Sequence, residues 1–149
     1  MRTLFIDTNI VLRLLNPAAP EHPSVRQTLA LLEAQGARLV IGLQVLVETW
    51  VVATRPTDQN GLGLPATTAR QLLDLCSQWF VLMLENHTTF SYWLNLVTTM
   101  PVLGKRAHDA RIAALMQSHG ITELLTLNEQ DFRGMPGIVT LPGATVPAT

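Results

Sequence analysis

Charge is what this chain has least of. Asp, Glu, Lys and Arg make up 14% of its 149 residues, against roughly 25% in an ordinary soluble domain. Hydrophobic residues make up 48%, so part of the apolar surface is expected to be covered by a partner or a second copy, and a two-fold homodimer is the expected assembly. The net charge of −1 gives no global attraction for nucleic acid. Any RNA or DNA contact needs a local basic patch or metal ions. Cysteine is nearly absent: Cys76 stands alone, which excludes an intramolecular disulfide and fits a reducing compartment. Among Leu72, Leu73, Leu75 and Trp79 it reads as a core residue rather than a nucleophile. No apolar run reaches the roughly 20 residues of a membrane span, and the first residues lack the order of a secretory signal. A cytoplasmic location is the expectation. Repeats and low-complexity segments are also missing. The length suits one domain with a genuine core, expected over residues 1–142, with a flexible Pro/Ala/Thr-rich tail over 143–149.

What is present alternates. Short apolar runs predict parallel strands over Thr3–Ile6, Arg38–Ile41, Phe80–Leu84 and Glu123–Thr126, with Ile138–Leu141 as a short edge strand. Helical periodicity predicts helices over Asn9–Leu15, Pro23–Gln35, Leu43–Thr54, Thr67–Gln78, Thr88–Thr99 and Ala107–Ser118, the first capped by Thr8 or Asn9. Strands separated by helices give a central parallel sheet with helices on both faces. The Gly- and Pro-rich segment Arg55–Pro65 reads as a surface excursion rather than a flap. The stripe Phe90, Trp93, Leu94, Val97 reads as core or dimer face rather than a base-stacking surface. Ile10-Val11-Leu12 is a second stripe suited to self-association. His108 reads as a packing or solvent-facing residue.

Three acids break the apolar pattern. Asp7 is the only charged residue between Thr3 and Leu12 and stands where the first strand ends. Glu48 is the only charged residue from Leu39 to Thr54, in a helix apolar on nearly every face. Asp109 sits above Ile112, Ala113 and Met116, the core stripe of its helix. Elements that follow parallel strands gather at one edge of the sheet, so the three carboxylates can converge. Unneutralised at about 4 Å they would repel by roughly 1–4 kcal/mol per pair. Either cationic side chains or a divalent ion must sit among them. Lys105, Arg106 and Arg111 flank Asp109, but no basic residue lies within six positions of Glu48, which favours the ion. Asn128 and Asp131 follow the fourth strand and fall at the same edge; their spacing equally suits a capped turn.

Phe5-Ile6-Asp7-Thr8-Asn9, the isolated Glu48, His108-Asp109-Ala110-x-Ile112-Ala113-Ala114 and Leu125-Thr126-x-Asn128-x-x-Asp131-Phe132 resemble, in order and spacing, the four acidic motifs of the PIN domain family over residues 2–142. That resemblance implies a three-layer α/β/α fold with a central parallel sheet of four to five strands. It implies a Mg²⁺- or Mn²⁺-dependent endoribonuclease acting on RNA, of the VapC-like toxin kind, paired with a small antitoxin protein. By motif position Asp7, Glu48 and Asp109 would hold the metal, with Asp131 as a further catalytic acid. Asn128 stands where many members carry an acid; Asp131, an amide or a water then completes the set. Lys105, Arg106 and Arg111 are candidate phosphate contacts on the rim. The rival expectation is a catalytically weak PIN-fold module that binds RNA or protein.

Overall fold

The computed structural model describes residues 1–143. Strands β1 (Thr3–Ile6), β2 (Arg38–Gly42), β3 (Val81–Met83), β4 (Glu123–Thr126) and β5 (Val139–Pro142) form one sheet in the order β3-β2-β1-β4-β5. Every pairing is parallel. Six helices flank it: α1 (Thr8–Leu15), α2 (His22–Ala34), α3 (Leu43–Thr54), α4 (Ala66–Trp79), α5 (Thr89–Thr99) and α6 (Arg106–Ser118). Helix α1 packs on α2 and α3, α3 packs on α4, and α5 pairs with α6, giving the expected three-layer α/β/α arrangement. None of these helices is long and apolar enough to cross a membrane.

The chain runs outward from β1 through β2 to β3, then returns to the other side of β1 for β4. Strand order therefore reverses at β1, and the crevice at the carboxyl ends of β1 and β4 is where a sheet of this type takes its ligand. The central strands are covered on both faces, so their apolar runs do not alternate: Leu4, Phe5, Ile6, Val40, Ile41, Leu124 and Leu125 are all buried. The edge strands β3 and β5 are short and leave Val81, Leu82 and Val139 exposed.

Several local expectations are corrected. Neither Thr8 nor Asn9 caps α1; Asp7 does, its side chain accepting the Thr8 N–H. Helix α3 is buried on one stripe only, Val45, Thr49 and Ala53. The opposite stripe Leu43, Val47 and Val51 is about half exposed, because the sheet and α4 cover a single face. In α5 Trp93 and Val97 pack against the core as expected and Leu96 is buried with them, but Phe90 is 65% exposed and Leu94 45%. Ile10 and Val11 are fully buried, so they serve the core and offer no surface for self-association. The 55–65 segment is an excursion laid back on α3: the N–H groups of Leu62, Gly63 and Leu64 donate to the carbonyls of Val52, Arg55 and Ala53. Gly143, placed by its composition in the tail, is buried and donates its N–H to the Thr126 carbonyl. Residues 144–149 of that tail lie outside the described residues.

Two glycines differ in why they are glycine. At Gly42, which joins β2 to α3, an added Cβ would lie 2.6 Å from Leu115 Cδ2 and 3.4 Å from the Phe5 ring. At Gly36, which closes α2, the space is open but φ is +82°. Gly42→Ala should cost about 1–3 kcal/mol by overpacking, and Gly36→Ala about 1–2 kcal/mol by left-handed strain. Urea unfolding checks both. A neutral Gly42→Ala would show that β2 and α6 are not in contact there.

Candidate metal centre

Asp7 stands one residue past β1, and its N–H donates to the Leu125 carbonyl of β4 at 3.0 Å. Only 8% exposed, its carboxylate takes three donors: the Thr8 N–H on Oδ1 at 2.8 Å, and the Thr126 hydroxyl and Asn9 amide on Oδ2 at 2.8 and 3.4 Å. The Thr8 hydroxyl reaches the other way and donates to Glu48 Oε1 at 3.2 Å. Thr8 thus ties the acid of β1 to the acid of α3. Asp109 lies in the first turn of α6, where the helix dipole favours a negative group. Asp131 lies in the 3₁₀ turn Glu129–Phe132 after β4.

The four carboxylates feel one another. Burial first, then the charges of Asp131, Asp7 and Glu48, pushes the Asp109 carboxyl up to about 7, against the opposing pull of Arg106. Burial also raises Asp7; the Thr126 hydroxyl and Thr8 N–H resist, and Glu48 and Asp131 add to the rise. Among the described residues the ion pairs join Arg2–Glu123, Arg13–Glu21, Arg70–Asp74 and Arg111–Glu85, none of them a member of this group. Arg106 reaches toward it but donates to the backbone carbonyl of Asp131 at 3.3 Å. Of the rim cations named from sequence, Arg111 is held by Glu85 and Lys105 is exposed.

Among the described residues no three His, Cys, Asp or Glu side chains stand close enough to close a cage on one ion. Mg²⁺ does not ask for one: it is held by one or two carboxylates and keeps several waters. Hard oxygen donors, mutual repulsion and no paired guanidinium fit such an ion in kind and charge. Asn128 is exposed, and its side chain does not cap the turn it precedes; its N–H donates to Thr126 Oγ1 at 3.0 Å.

Thr126 and Asn9 lie within the motifs that carry the resemblance; from sequence Asn9 reads as a helix cap or a residue positioning water or phosphate, and Thr126 as a cap. Thr126 is fully buried, gives its proton to Asp7, and accepts from Asn128 N–H and from Asn9 Nδ2 at 3.3 Å. Asn9 Oδ1 accepts the Leu127 N–H at 3.2 Å, latching the start of α1 to the end of β4. For Thr126 the signals were its place in the fourth motif and a polar residue closing the buried run Leu124-Leu125-Thr126.

The PIN domain family model matches residues 4–137. The chain belongs to the PIN domain family. Ribonuclease VapC24 of Mycobacterium tuberculosis is 31% identical to this PIN domain over 136 residues, covering 87% of this chain and 88% of that protein. In fold it is similar to the VapBC2 complex of Rickettsia felis bound to a promoter DNA fragment, with a TM-score of 0.72 at 18% identity over 93% of this chain and 97% of that one. It is also similar to VapC20 of M. tuberculosis, described as a Sarcin-Ricin loop cleaving toxin, with a TM-score of 0.58 at 20% identity over 81% and 86%.

The raised Asp109 carboxyl makes stability pH-dependent with a definite sign. The folded PIN domain binds this proton more tightly than the unfolded chain. Stability from this group is therefore full below about pH 4, falls as pH rises from 3.8 to about 7, and is flat above. Asp109→Asn should stabilise the chelator-treated protein at pH 8 by about 1–2 kcal/mol, discounted for half-exposure, and by less at pH 5. Thermal melts in EDTA at the two pH values check this; a loss of stability at pH 8 would contradict it.

Proposed function

We propose that the chain is a divalent-metal-dependent endoribonuclease and the toxin of a toxin–antitoxin pair, with domain boundaries near residues 1 and 142. The observation that carries this is the pooling of Asp7, Glu48, Asp109 and Asp131 in mutual repulsion at the carboxyl ends of β1 and β4. Asp7, Glu48 and Asp109 would hold Mg²⁺ or Mn²⁺. A bound divalent ion supplies a water of lowered pKa and positive charge for the attacked phosphate. The protein's own residues supply position and proton control. Thr126, Asn9 and the Thr8 N–H fix the Asp7 carboxylate, and the Thr8 hydroxyl fixes Glu48. Asp109, its carboxyl raised to about 7, would have to give up its proton to serve as a ligand, so cation affinity would rise with pH. Asp131 keeps the pocket negative on its fourth side.

The family membership and a ribonuclease relative at 31% identity support this reading. Similar folds solved as toxin–antitoxin complexes support a small protein partner. The half-exposed stripe Leu43, Val47, Val51 is apolar surface that a protein partner or second copy would cover.

RNA incubated with the protein should be cleaved in Mg²⁺ or Mn²⁺ and spared in EDTA. Asp7→Asn and Asp109→Asn should each slow cleavage by about a hundredfold or more; cleavage indifferent to EDTA or to Asp7→Asn would reject the proposal. Thr126→Val should keep the fold and weaken Mn²⁺ binding by about 10–100-fold, the scale of losing a partner that orients a ligand. Calorimetric titration measures it. Full Mn²⁺ affinity in Thr126→Val would remove Thr126 from the site.

A further inference from the structure

An exposed aromatic ring, Phe90, stacks on a half-buried one, Trp93, near the cleft that Glu48 lines. Phe90 and Trp93, one turn apart on α5, stack with ring centroids 6.2 Å apart and planes 28° from parallel. Phe90 leaves 65% of its surface in water. Trp93 is fixed from behind: its indole N–H donates to the Ala107 carbonyl at 2.9 Å, two residues before Asp109 on α6. The pair walls a cleft of about 360 Å³ that also takes in Asn86, Thr89, His108 and Arg111. His108 and Arg111 line a second cleft, of about 220 Å³, whose far wall carries Glu48. The two clefts share His108 and Arg111 and so adjoin, and together they run from the rings to Glu48.

Each part has a use in gripping one nucleotide. An exposed ring pinned to its neighbour offers a π-face to a base, a contact worth about 1–3 kcal/mol and indifferent to base identity. The Arg111 guanidinium carries five N–H donors; its Nε is taken by Glu85, which sets the planar group in the cleft wall with donors left for phosphate oxygens. Asn86 turns its side-chain carbonyl to Thr88 and its amide to the Ser118 carbonyl, so the cleft floor is rigid. Arg111 neutralises Glu85 within the cleft, while Glu48 and the acids beyond it oppose an anionic strand, which is why the probe is offered in Mg²⁺.

We infer that Phe90 and Trp93 form a stacking subsite for an unpaired base next to the bond being cut, with Arg111 gripping its phosphate. The substrate is then single-stranded at that position. This rests on the nuclease reading for the phrase "bond being cut", but the binding stands apart from the chemistry.

The test uses a fluorescein-labelled single-stranded DNA 12-mer in Mg²⁺ buffer, since stacking needs no 2′-hydroxyl, with a gel to verify that the probe stays intact. Anisotropy should show binding that Phe90→Ala weakens about five- to hundredfold. Phe90→Tyr should retain it, and Phe90→Leu, apolar but without a π-face, should lose it. Equal affinity of wild type and Phe90→Ala overturns the inference, as does a wild type that binds no strand. A shift by Phe90→Ala from dimer to monomer in sedimentation, with affinity per subunit unchanged, overturns it in favour of a protein contact. RNA cleavage assayed alongside separates the two claims: cleavage without Phe90-dependent binding keeps the nuclease and rejects the subsite, and the converse result does the reverse.

Discussion

A buried carboxylate held by hydroxyl and amide donors, not by a counter-ion, is the interaction on which this molecule turns. Asp7 ends β1, caps α1 and meets β4 through one backbone and one side-chain hydrogen bond. Three donors offset part of the cost of burying its charge, but they add no positive charge. The field of Asp7 therefore reaches Asp109, whose own burial leaves it short of hydration. Repulsion that would be an error in a structural core is gathered here at a strand-order reversal, the place where sheets of this type take their ligands.

The fold serves that arrangement economically. Reversal at β1 leaves the carboxyl ends of β1 and β4 side by side with no connection crossing between them. The segments after β1, β2 and β4, with the first turn of α6, bring Asp7, Glu48, Asp131 and Asp109 to one edge. Thr8 joins the first two acids, and Thr126 and Asn9 join the first to the last strand. The surroundings are apolar and close-packed, to the point that Gly42 leaves no room for a methyl group beside Leu115.

Much of this could be read from residues alone. A lone acid in an apolar strand is costly enough to stand out, so Asp7, Glu48 and Asp109 were conspicuous by charge against their background, and the strand–helix alternation placed every strand to within about two residues. Hydroxyls do not stand out in that way. Thr126 stands in a motif and closes a buried run, but its role as a partner of Asp7 depends on a residue 119 positions away. Helix faces were misjudged for a related reason. Periodicity says that α3 and α5 carry apolar stripes, but which stripe meets the sheet is decided by neighbouring elements, and in both helices an apolar stripe was left outside.

The span of the Asp7–Thr126 bond also orders events in time. The ribosome adds Thr126, with its anchoring hydroxyl, 119 residues after Asp7. Long-range pairing of this kind forms late, and the Gly143 N–H, which fastens the end of β4 from the far side, arrives later still. An unfinished chain thus carries the acids without the frame that gathers them. A nascent chain has no assembled pocket until Thr126 and Gly143 have both been made.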